Sequence, residues 1–326
     1  MHLSQGIDHI LLELMNRSGK LHALLSTARV ANIPSVVSNV WAGVALGIVM
    51  NANSTEQSLA VPWMLAACQA FAGVLLYVGG NFLNDWQDRR WDEDHRPERA
   101  LPRGLFPPSF YWWLALCLMG AGVGFAWAVN FRSGLVAGGI LGCIAIYTVW
   151  HKKYAWTVVP MGLCRALLPV MGFLALYPYV DTILPLAGAL FCYIVGLSLS
   201  ARQESMKESS KRSAVIPRGL LLLTAIMVAV GNRVVFLDRL PCILGTLPYL
   251  MWTGFCLKFR RAPVPKLVSG LLAGIPWIDW MALLPLALTI VNDSREGVVP
   301  LASACVLFPP LAFISALLLQ RLAPAT

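Results

Sequence analysis

The sequence is poor in charge. Only 13% of its 326 residues are Asp, Glu, Lys or Arg, whereas 58% are hydrophobic. This composition excludes an ordinary soluble domain and indicates a polytopic membrane protein made of helices. A long linker, a low-complexity tract and a block of like charges are also missing, so the chain is predicted to form one membrane domain.

Several chemical signatures are absent as well. The sequence contains no Gly-rich nucleotide loop, no Gly-x-Ser-x-Gly elbow and no His-Glu-x-x-His helix, which removes support for ATP-driven and hydrolytic chemistry. It has eight cysteines but no Cys-x-x-Cys pair, and most of them lie within apolar stretches. They are therefore interpreted as small buried hydrophobic residues, not as metal ligands or disulfide partners.

Apolar stretches long enough to cross a bilayer recur along the chain. They predict about ten spans, at roughly 31–50, 60–84, 109–130, 133–150, 157–177, 182–201, 215–232, 241–257, 268–291 and 299–320. The ninth stretch is the doubtful one, because Pro276 and Asp279 are typical of a broken or tilted helix. The predicted fold is an all-α bundle of nine or ten transmembrane helices.

The positive charges predict the orientation of this bundle. With the N-terminus inside, all but five of the 25 Lys and Arg residues fall on the cytoplasmic side. The exceptions are Arg132, Arg233, Arg239 and Arg295 outside, and Arg165 within a span. The net charge of +9 is thus explained by topology and by anionic lipid heads, without a nucleic-acid partner. In a bacterium the expected location is the inner membrane.

Residues 1–28 are predicted to form an amphipathic segment at the cytoplasmic face. Ile7, Ile10, Leu11 and Leu14 would share one apolar helical face. Two interpretations remain open, a helix lying on the inner leaflet and a helix packed on the membrane domain.

The most informative polar residues follow the second apolar stretch. Asn84, Asp88 and Asp92 are spaced i, i+4 and i+8, so on a helix they form one stripe about 12 Å long. Such oxygen ligands suit Mg²⁺, which prefers one or two carboxylates, waters and substrate phosphates. Asp85 is a further candidate ligand, and Arg96 and Arg99 could hold phosphate oxygens. Taken alone, the acidic spacing would favour a solvated helix end.

The whole segment, with Arg96-Pro97-Glu98-Arg99-Ala100-Leu101-Pro102-Arg103-Gly104 directly downstream, closely resembles the first aspartate-rich motif of the UbiA superfamily of intramembrane prenyltransferases. The resemblance implies a UbiA-like transmembrane domain over residues 29–326, usually with nine spans. It also implies transfer of an isoprenyl group from a prenyl diphosphate to an acceptor, with Mg²⁺ held by Asn84, Asp85, Asp88 and Asp92. The identity of the acceptor cannot be predicted from the sequence.

Other positions extend this resemblance. Arg29 and Asn39 are similar to polar residues of the family's first helix, and Lys152 and Lys153 follow Tyr147 as basic residues do near the diphosphate in that family. All four basic or amide side chains are expected to contact the diphosphate. Arg165 should pair with a carboxylate or bind an anion, because an isolated charge within a span is costly. Aromatic rings that could stabilise a developing allylic cation are Trp41, Tyr77, Phe82, Trp86 and Tyr147.

The second aspartate-rich cluster of the family is missing. After the sixth stretch the chain reads Ser200-Ala201-Arg202-Gln203-Glu204, which leaves Glu204 as the remaining candidate metal ligand. Arg202 and Lys207 are predicted to contact the diphosphate. Three explanations stay open: one metal with basic residues replacing the second, two metals held through Glu204 and water, or loss of transfer chemistry. Arg202 could also simply anchor the sixth helix at the inner leaflet.

The competing interpretation is a non-catalytic protein that transports or handles lipids on the same fold. In that case Asn39, Arg165 and Asp279 would line a polar path through the membrane. Asp279 could alternatively act as a base toward the acceptor, or have a structural or gating role.

Overall fold

The computed structural model describes residues 19–205, 215–235, 239–260 and 264–323. Within these ranges the regular structure is entirely helical. Residues 19–27 are helical, and short 3₁₀ turns lie at Val30–Asn32 and Ala155–Thr157. The long helices are α1 (Ile33–Thr55), α2 (Trp63–His95), α3 (Pro108–Val129), α4 (Phe131–Trp150), α5 (Val158–Leu174), α6 (Leu184–Ser205), α7 (Val215–Val235), α8 (Arg239–Phe259), α9 (Val264–Ala273), α10 (Pro276–Ile290) and α11 (Val298–Leu319).

In the described part of the chain, ten segments are long and apolar enough to span a membrane. Nine are single helices, and the tenth is the pair α9 and α10, which together cover Val264–Ile290. Pro276 is at the start of α10 and cannot donate a backbone hydrogen bond, so the helix is interrupted at residues 274–275. The prediction of a broken helix in this region is confirmed. The chain is an integral multi-pass membrane protein.

Helix α1 lies at the centre of the bundle and is buried along most of its length. It packs against α2, α5, α10 and α11. Glycines allow α1 and α5 to approach backbone to backbone: a Cβ on Gly43 would overlap the carbonyl of Pro169, and one on Gly172 would overlap the carbonyl of Val40. This contact fixes the two helices at a separation that larger side chains would not permit.

Helix α2 is longer than the membrane is thick. Its 33 residues correspond to about 50 Å, whereas the hydrocarbon core of a bilayer is about 30 Å thick. The C-terminal turns, which carry the acidic residues, therefore project from the hydrocarbon into the headgroup region. The turn over residues 96–107 folds back beside them before α3 begins.

At the opposite end of the bundle, an ion pair closes the connection between α10 and α11. Arg295 donates to Asp293 at 2.6 Å and to Asn53 Oδ1 near the end of α1 at 2.8 Å. The hydrogen bonds from Arg295 lower the pKa of the Asp293 carboxyl.

Residues 1–18 lie outside the described ranges, and with them the predicted apolar face of Ile7, Ile10, Leu11 and Leu14. The following residues 19–27 end in a contact with the bundle, where Thr27 shares a hydrogen bond of 2.9 Å with the buried Tyr111 of α3.

Candidate active site

Asn84, Asp88 and Asp92 of α2 form the predicted stripe, and these three residues and Asp85 are buried, whereas Glu93 and Asp94 are exposed. Asn84 and Asp85 are each 8% exposed, Asp88 is 5% exposed and Asp92 is 1% exposed. They are brought to one end of the bundle with basic residues from three other segments, so the cluster is not a solvated helix end.

Arg99 holds two of these carboxylates from the turn after α2. Its Nη1 donates to Asp92 Oδ2 at 2.8 Å and lies 3.3 Å from Asp85 Oδ1. Arg29, directly before the first 3₁₀ turn, approaches the same Asp85 oxygen at 3.9 Å. Burial is the largest single influence and lowers the Arg29 pKa, but Asp85, Tyr77, Tyr147 and Asp88 together outweigh it and raise the pKa above its ordinary value. Arg29 therefore stays a cation at the mouth of the site.

Asp88 is contacted from the connection between α4 and α5. His151 Nε2 lies 3.2 Å from each Asp88 carboxylate oxygen, and Lys152 Nζ lies 3.3 Å from Oδ2. Lys152 also sits 3.4 Å above the centroid of the Trp91 ring, which restricts its ammonium group. The sequence predicted Lys152 but not His151. The available signal was its position four residues after Tyr147, and the two rings indeed stack at 4.9 Å.

Two ligand-type oxygens in the stripe remain without a hydrogen-bond partner. They are Asn84 Oδ1 and Asp92 Oδ1, both buried, while Asn84 Nδ2 is 3.4 Å from Asp88 Oδ2. Buried polar atoms normally find a partner, so these two are suited to a cation. In the described ranges no three His, Cys, Asp or Glu side chains could enclose a metal by themselves. The unpartnered oxygens of Asn84 and Asp92 fit Mg²⁺, which takes one or two carboxylates and fills its remaining positions with water and phosphate oxygens.

Other residues predicted for the diphosphate lie at different distances from this stripe. Arg96 and Lys153 are exposed, and the Lys153 ammonium group lies 5.3 Å from the centroid of the Tyr154 ring. Arg202 reaches the same end of the bundle but binds main-chain oxygens of the connection after α4. The Glu204 side chain and Lys207 lie outside the described part of the structure.

Asn39 is not brought to the carboxylates of α2, and its predicted contact with the diphosphate stays a prediction. Its amide donates to both oxygens of Asp279 at 2.8 Å, and Ser38 Oγ donates to Asp279 Oδ2 at 2.5 Å. Asp279 and Asn39 are both fully buried. The reason is electrostatic, because a carboxylate within a span requires hydrogen-bond donors and α1 supplies them.

Arg165 lies close to this polar cluster. It donates to the hydroxyl of Ser35, one turn before Asn39, and the charge of Asp279 acts on it favourably. Among the described residues no ion pair joins Arg165 to a carboxylate, so the expectation that it pairs with one or binds an anion stays a prediction. Ser35, Ser38 and Asn39 form a polar stripe on the inner face of α1.

The aromatic candidates separate into two groups. Tyr77 and Tyr147 lie near the site: the Tyr77 hydroxyl donates to the carbonyl of Arg29 at 3.4 Å, and Tyr147 stacks on His151. The other three pack elsewhere, with Trp41 on Trp63, Phe82 on Tyr111, and Trp86 on Trp112. Those three rings are held by core or surface packing.

Comparison with known proteins agrees with this arrangement. The sequence profile of the UbiA prenyltransferase family matches residues 40–290. The digeranylgeranylglyceryl phosphate synthase of Thermococcus kodakarensis is 34% identical over 116 residues, which cover 35% of this chain and 39% of that protein. The protoheme IX farnesyltransferase of Desulforudis audaxviator is 26% identical over 182 residues, covering 51% and 57% respectively. These alignments span less than two thirds of either relative.

A similar fold occurs in a solved structure described as giving insight into digeranylgeranylglyceryl phosphate synthase in membranes. It superposes with a TM-score of 0.50 at 17% identity, covering 92% of this chain and 98% of that one. The similarity supports the helical architecture, and the family profile spans most of the chain, including the acidic stripe. This protein belongs to the UbiA prenyltransferase family.

Proposed function

We propose that the protein transfers an isoprenyl group from a prenyl diphosphate to an acceptor in the membrane, using Mg²⁺. The observation that carries the proposal is the buried stripe of Asn84, Asp88 and Asp92, in which two oxygens lack partners while cationic side chains surround the rest. The activities for which the two relatives are named, a digeranylgeranylglyceryl phosphate synthase and a protoheme IX farnesyltransferase, support the reaction class. They differ in acceptor and so leave the acceptor open.

The side chains divide the work of binding the diphosphate. Asn84 and Asp92 offer the free oxygens for a divalent cation, which when bound neutralises the diphosphate and improves it as a leaving group. Arg29, Arg99 and Lys152 surround the carboxylates with fixed positive charge. As the allylic carbon–oxygen bond lengthens, the diphosphate gains negative charge, and these cations are already oriented toward it.

The allylic carbon acquires positive charge in the same step. Of the five predicted aromatic candidates, Tyr77 and Tyr147 lie beside the basic cluster, and their faces are suited to an adjacent cation. The acceptor's nucleophilic atom forms the new bond to this carbon, diphosphate leaves, and the acceptor loses a proton. We place this site on the cytoplasmic side of the membrane, on the basis of the Lys and Arg distribution.

The test uses the purified full chain in detergent with Mg²⁺, labelled geranyl, farnesyl or geranylgeranyl diphosphate, and a lipid extract of the source cells as acceptor pool. We expect one of these to give a labelled lipid and free diphosphate. Asp92→Asn should reduce turnover and Mg²⁺-dependent binding about 100-fold or more, because even residues that merely support a metal ligand are worth 10- to 100-fold.

Asp181→Asn is the matched control, since Asp181 is exposed in the connection between α5 and α6. Its turnover should equal that of the unaltered protein. Absence of Mg²⁺-dependent binding for all three diphosphates would contradict the proposal and favour the transport or lipid-handling alternative.

A further inference from the structure

Arg202 stands where the family's second aspartate-rich cluster would be, and its contacts point away from a direct role with the substrate. The residue is near the end of α6 and is half-buried. Nη2 donates to the carbonyl of His151 at 2.6 Å and lies 3.4 Å from Thr157 Oγ1, while Nη1 donates to the carbonyl of Tyr154 at 3.3 Å. Its guanidinium thus binds three points along one short connection.

That connection, residues 151–157 between α4 and α5, carries two of the cationic groups of the site. His151 and Lys152 both contact Asp88, at 3.2 Å and 3.3 Å. The carbonyl that Arg202 binds most closely belongs to His151 itself. A backbone held in this way restricts where the His151 ring and the adjacent Lys152 side chain can lie.

We propose that Arg202 is a positioning residue, which holds the 151–157 connection so that His151 and Lys152 stay against Asp88 in place of a second carboxylate-held metal. The proposal rests on the proposed function, because it assigns the diphosphate charge at this side of the site to loop cations. It replaces the expectation that Arg202 contacts the diphosphate itself. A rigid fork with several donors is the side chain suited to bridging separate carbonyl groups.

A double-mutant cycle distinguishes positioning from direct contact. The probe is inorganic pyrophosphate with Mg²⁺, and its affinity for the detergent-solubilised full chain is measured by calorimetry. Arg202→Gln and Lys152→Gln should each weaken binding roughly tenfold, as expected for hydrogen bonds involving charged groups. Since Arg202 acts through Lys152 as well as through His151, the loss in the double variant should be clearly smaller than the product of the two single losses. Losses that multiply to about 100-fold would overturn the proposal.

The conservative replacement gives a second readout. An ammonium group supplies the same charge but cannot bridge the carbonyls of His151 and Tyr154. Arg202→Lys should therefore bind pyrophosphate as weakly as Arg202→Gln. Recovery of affinity by Arg202→Lys would show that charge alone matters and would contradict positioning. Arg218→Gln is the control, because Arg218 is exposed near the start of α7, and it should leave affinity unchanged.

A third measurement does not depend on substrate binding. Trypsin can cleave after Lys152 and Lys153, which are exposed. Arg202→Gln should accelerate cleavage there several-fold without lowering the melting temperature, whereas Arg218→Gln should not. If the unaltered protein binds no pyrophosphate, the proposed function fails, yet faster cleavage still supports the hold on the connection. An unchanged cleavage rate in Arg202→Gln would overturn it.

Discussion

At the scale of single residues, each carboxylate of α2 has a different set of cationic neighbours. Asp92 is bound by Arg99, Asp85 lies between Arg99 and Arg29, and Asp88 faces the connection after α4. Arg99 contacts both Asp85 and Asp92, but Asp85 also has Arg29 as a neighbour, and Asp88 has Lys152. Loss of one cation therefore leaves the others in place, which makes single substitutions informative.

Asp279 is a residue whose role the structure defines through its hydrogen bonds. In Asp279→Leu the Asn39 amide and the Ser38 hydroxyl lose their acceptor, and Arg165 loses a nearby opposite charge. Breaking a buried charged network by removing one partner costs about 3–5 kcal/mol. Asp279→Asn should be milder, because an amide oxygen still accepts a hydrogen bond.

Thermal unfolding in detergent measures both variants, with Asp181→Asn as a surface control. The melting temperature should be highest for the control, lower for Asp279→Asn and lowest for Asp279→Leu. Equal melting of Asp279→Leu and the unaltered protein would show that the cluster adds no stability.

The residue scale also shows what could be predicted for the site. Spacing alone placed Asn84, Asp88 and Asp92 on one face, because a helix repeats every 3.6 residues. The pairing of Asn39 with Asp279 joins residues 240 positions apart in sequence. Nothing local encodes that contact, so the sequence did not predict it. The contact of His151 with Asp88, 63 positions away in sequence, was not predicted for the same reason. Its position four residues after Tyr147 was the one local signal.

At the scale of helices, polar contacts extend α2 beyond its apolar stretch. The hydropathy pattern predicted that the apolar stretch ends near residue 84, and the spacing of Asn84, Asp88 and Asp92 predicted that the helix continues; it ends at His95. Its last turns are stabilised by bonds to Arg99 and Lys152. Hydropathy reports which residues tolerate hydrocarbon, and it carries no information on helix that continues into the headgroup region.

The contact between α1 and α5 gives a prediction at this scale. Gly43→Leu places a side chain against the backbone of Pro169, which cannot move as a flexible side chain would. We expect the two helices to separate, with a melting temperature well below that of the unaltered protein and a loss of at least about 1–3 kcal/mol.

Gly138→Leu is the matched control, because a Cβ at Gly138 of α4 meets no atom within 4 Å. It should melt like the unaltered protein. The prediction would be contradicted by equal melting of Gly43→Leu and Gly138→Leu, measured together in the same detergent.

At the scale of the whole molecule, the bundle has two chemically different ends. One gathers Arg29, Arg99, Lys152 and Arg202, while the other carries the Arg295 and Asp293 pair. The ten spans and the break in the ninth could be predicted from hydropathy and from Pro276. The burial of α1 at the centre could not, because an apolar helix facing lipid and one facing protein have similar compositions.

The gathering of basic residues at one end of the bundle predicts that this end faces the cytoplasm. In a variant without native cysteines, Glu98→Cys and Lys153→Cys should be protected from a membrane-impermeant maleimide added outside intact cells or right-side-out vesicles. Ser54→Cys and Asp181→Cys should react, because they lie at the other end of the bundle. All four positions are exposed. Labelling of Glu98→Cys without labelling of Ser54→Cys would show that the orientation is the reverse of the predicted one.

The length of α2 determines which substrate concentration controls the rate, the concentration in the membrane or the concentration in bulk solution. The carboxylates lie in the headgroup layer. On the proposed function, the substrate is an amphiphile whose diphosphate is already at that depth and whose tail stays in the hydrocarbon. Encounters are then collisions within a plane, and the effective concentration is the mole fraction of prenyl diphosphate among lipids. Adding inert lipid to vesicles at fixed bulk concentration should slow turnover by surface dilution, while adding buffer should not.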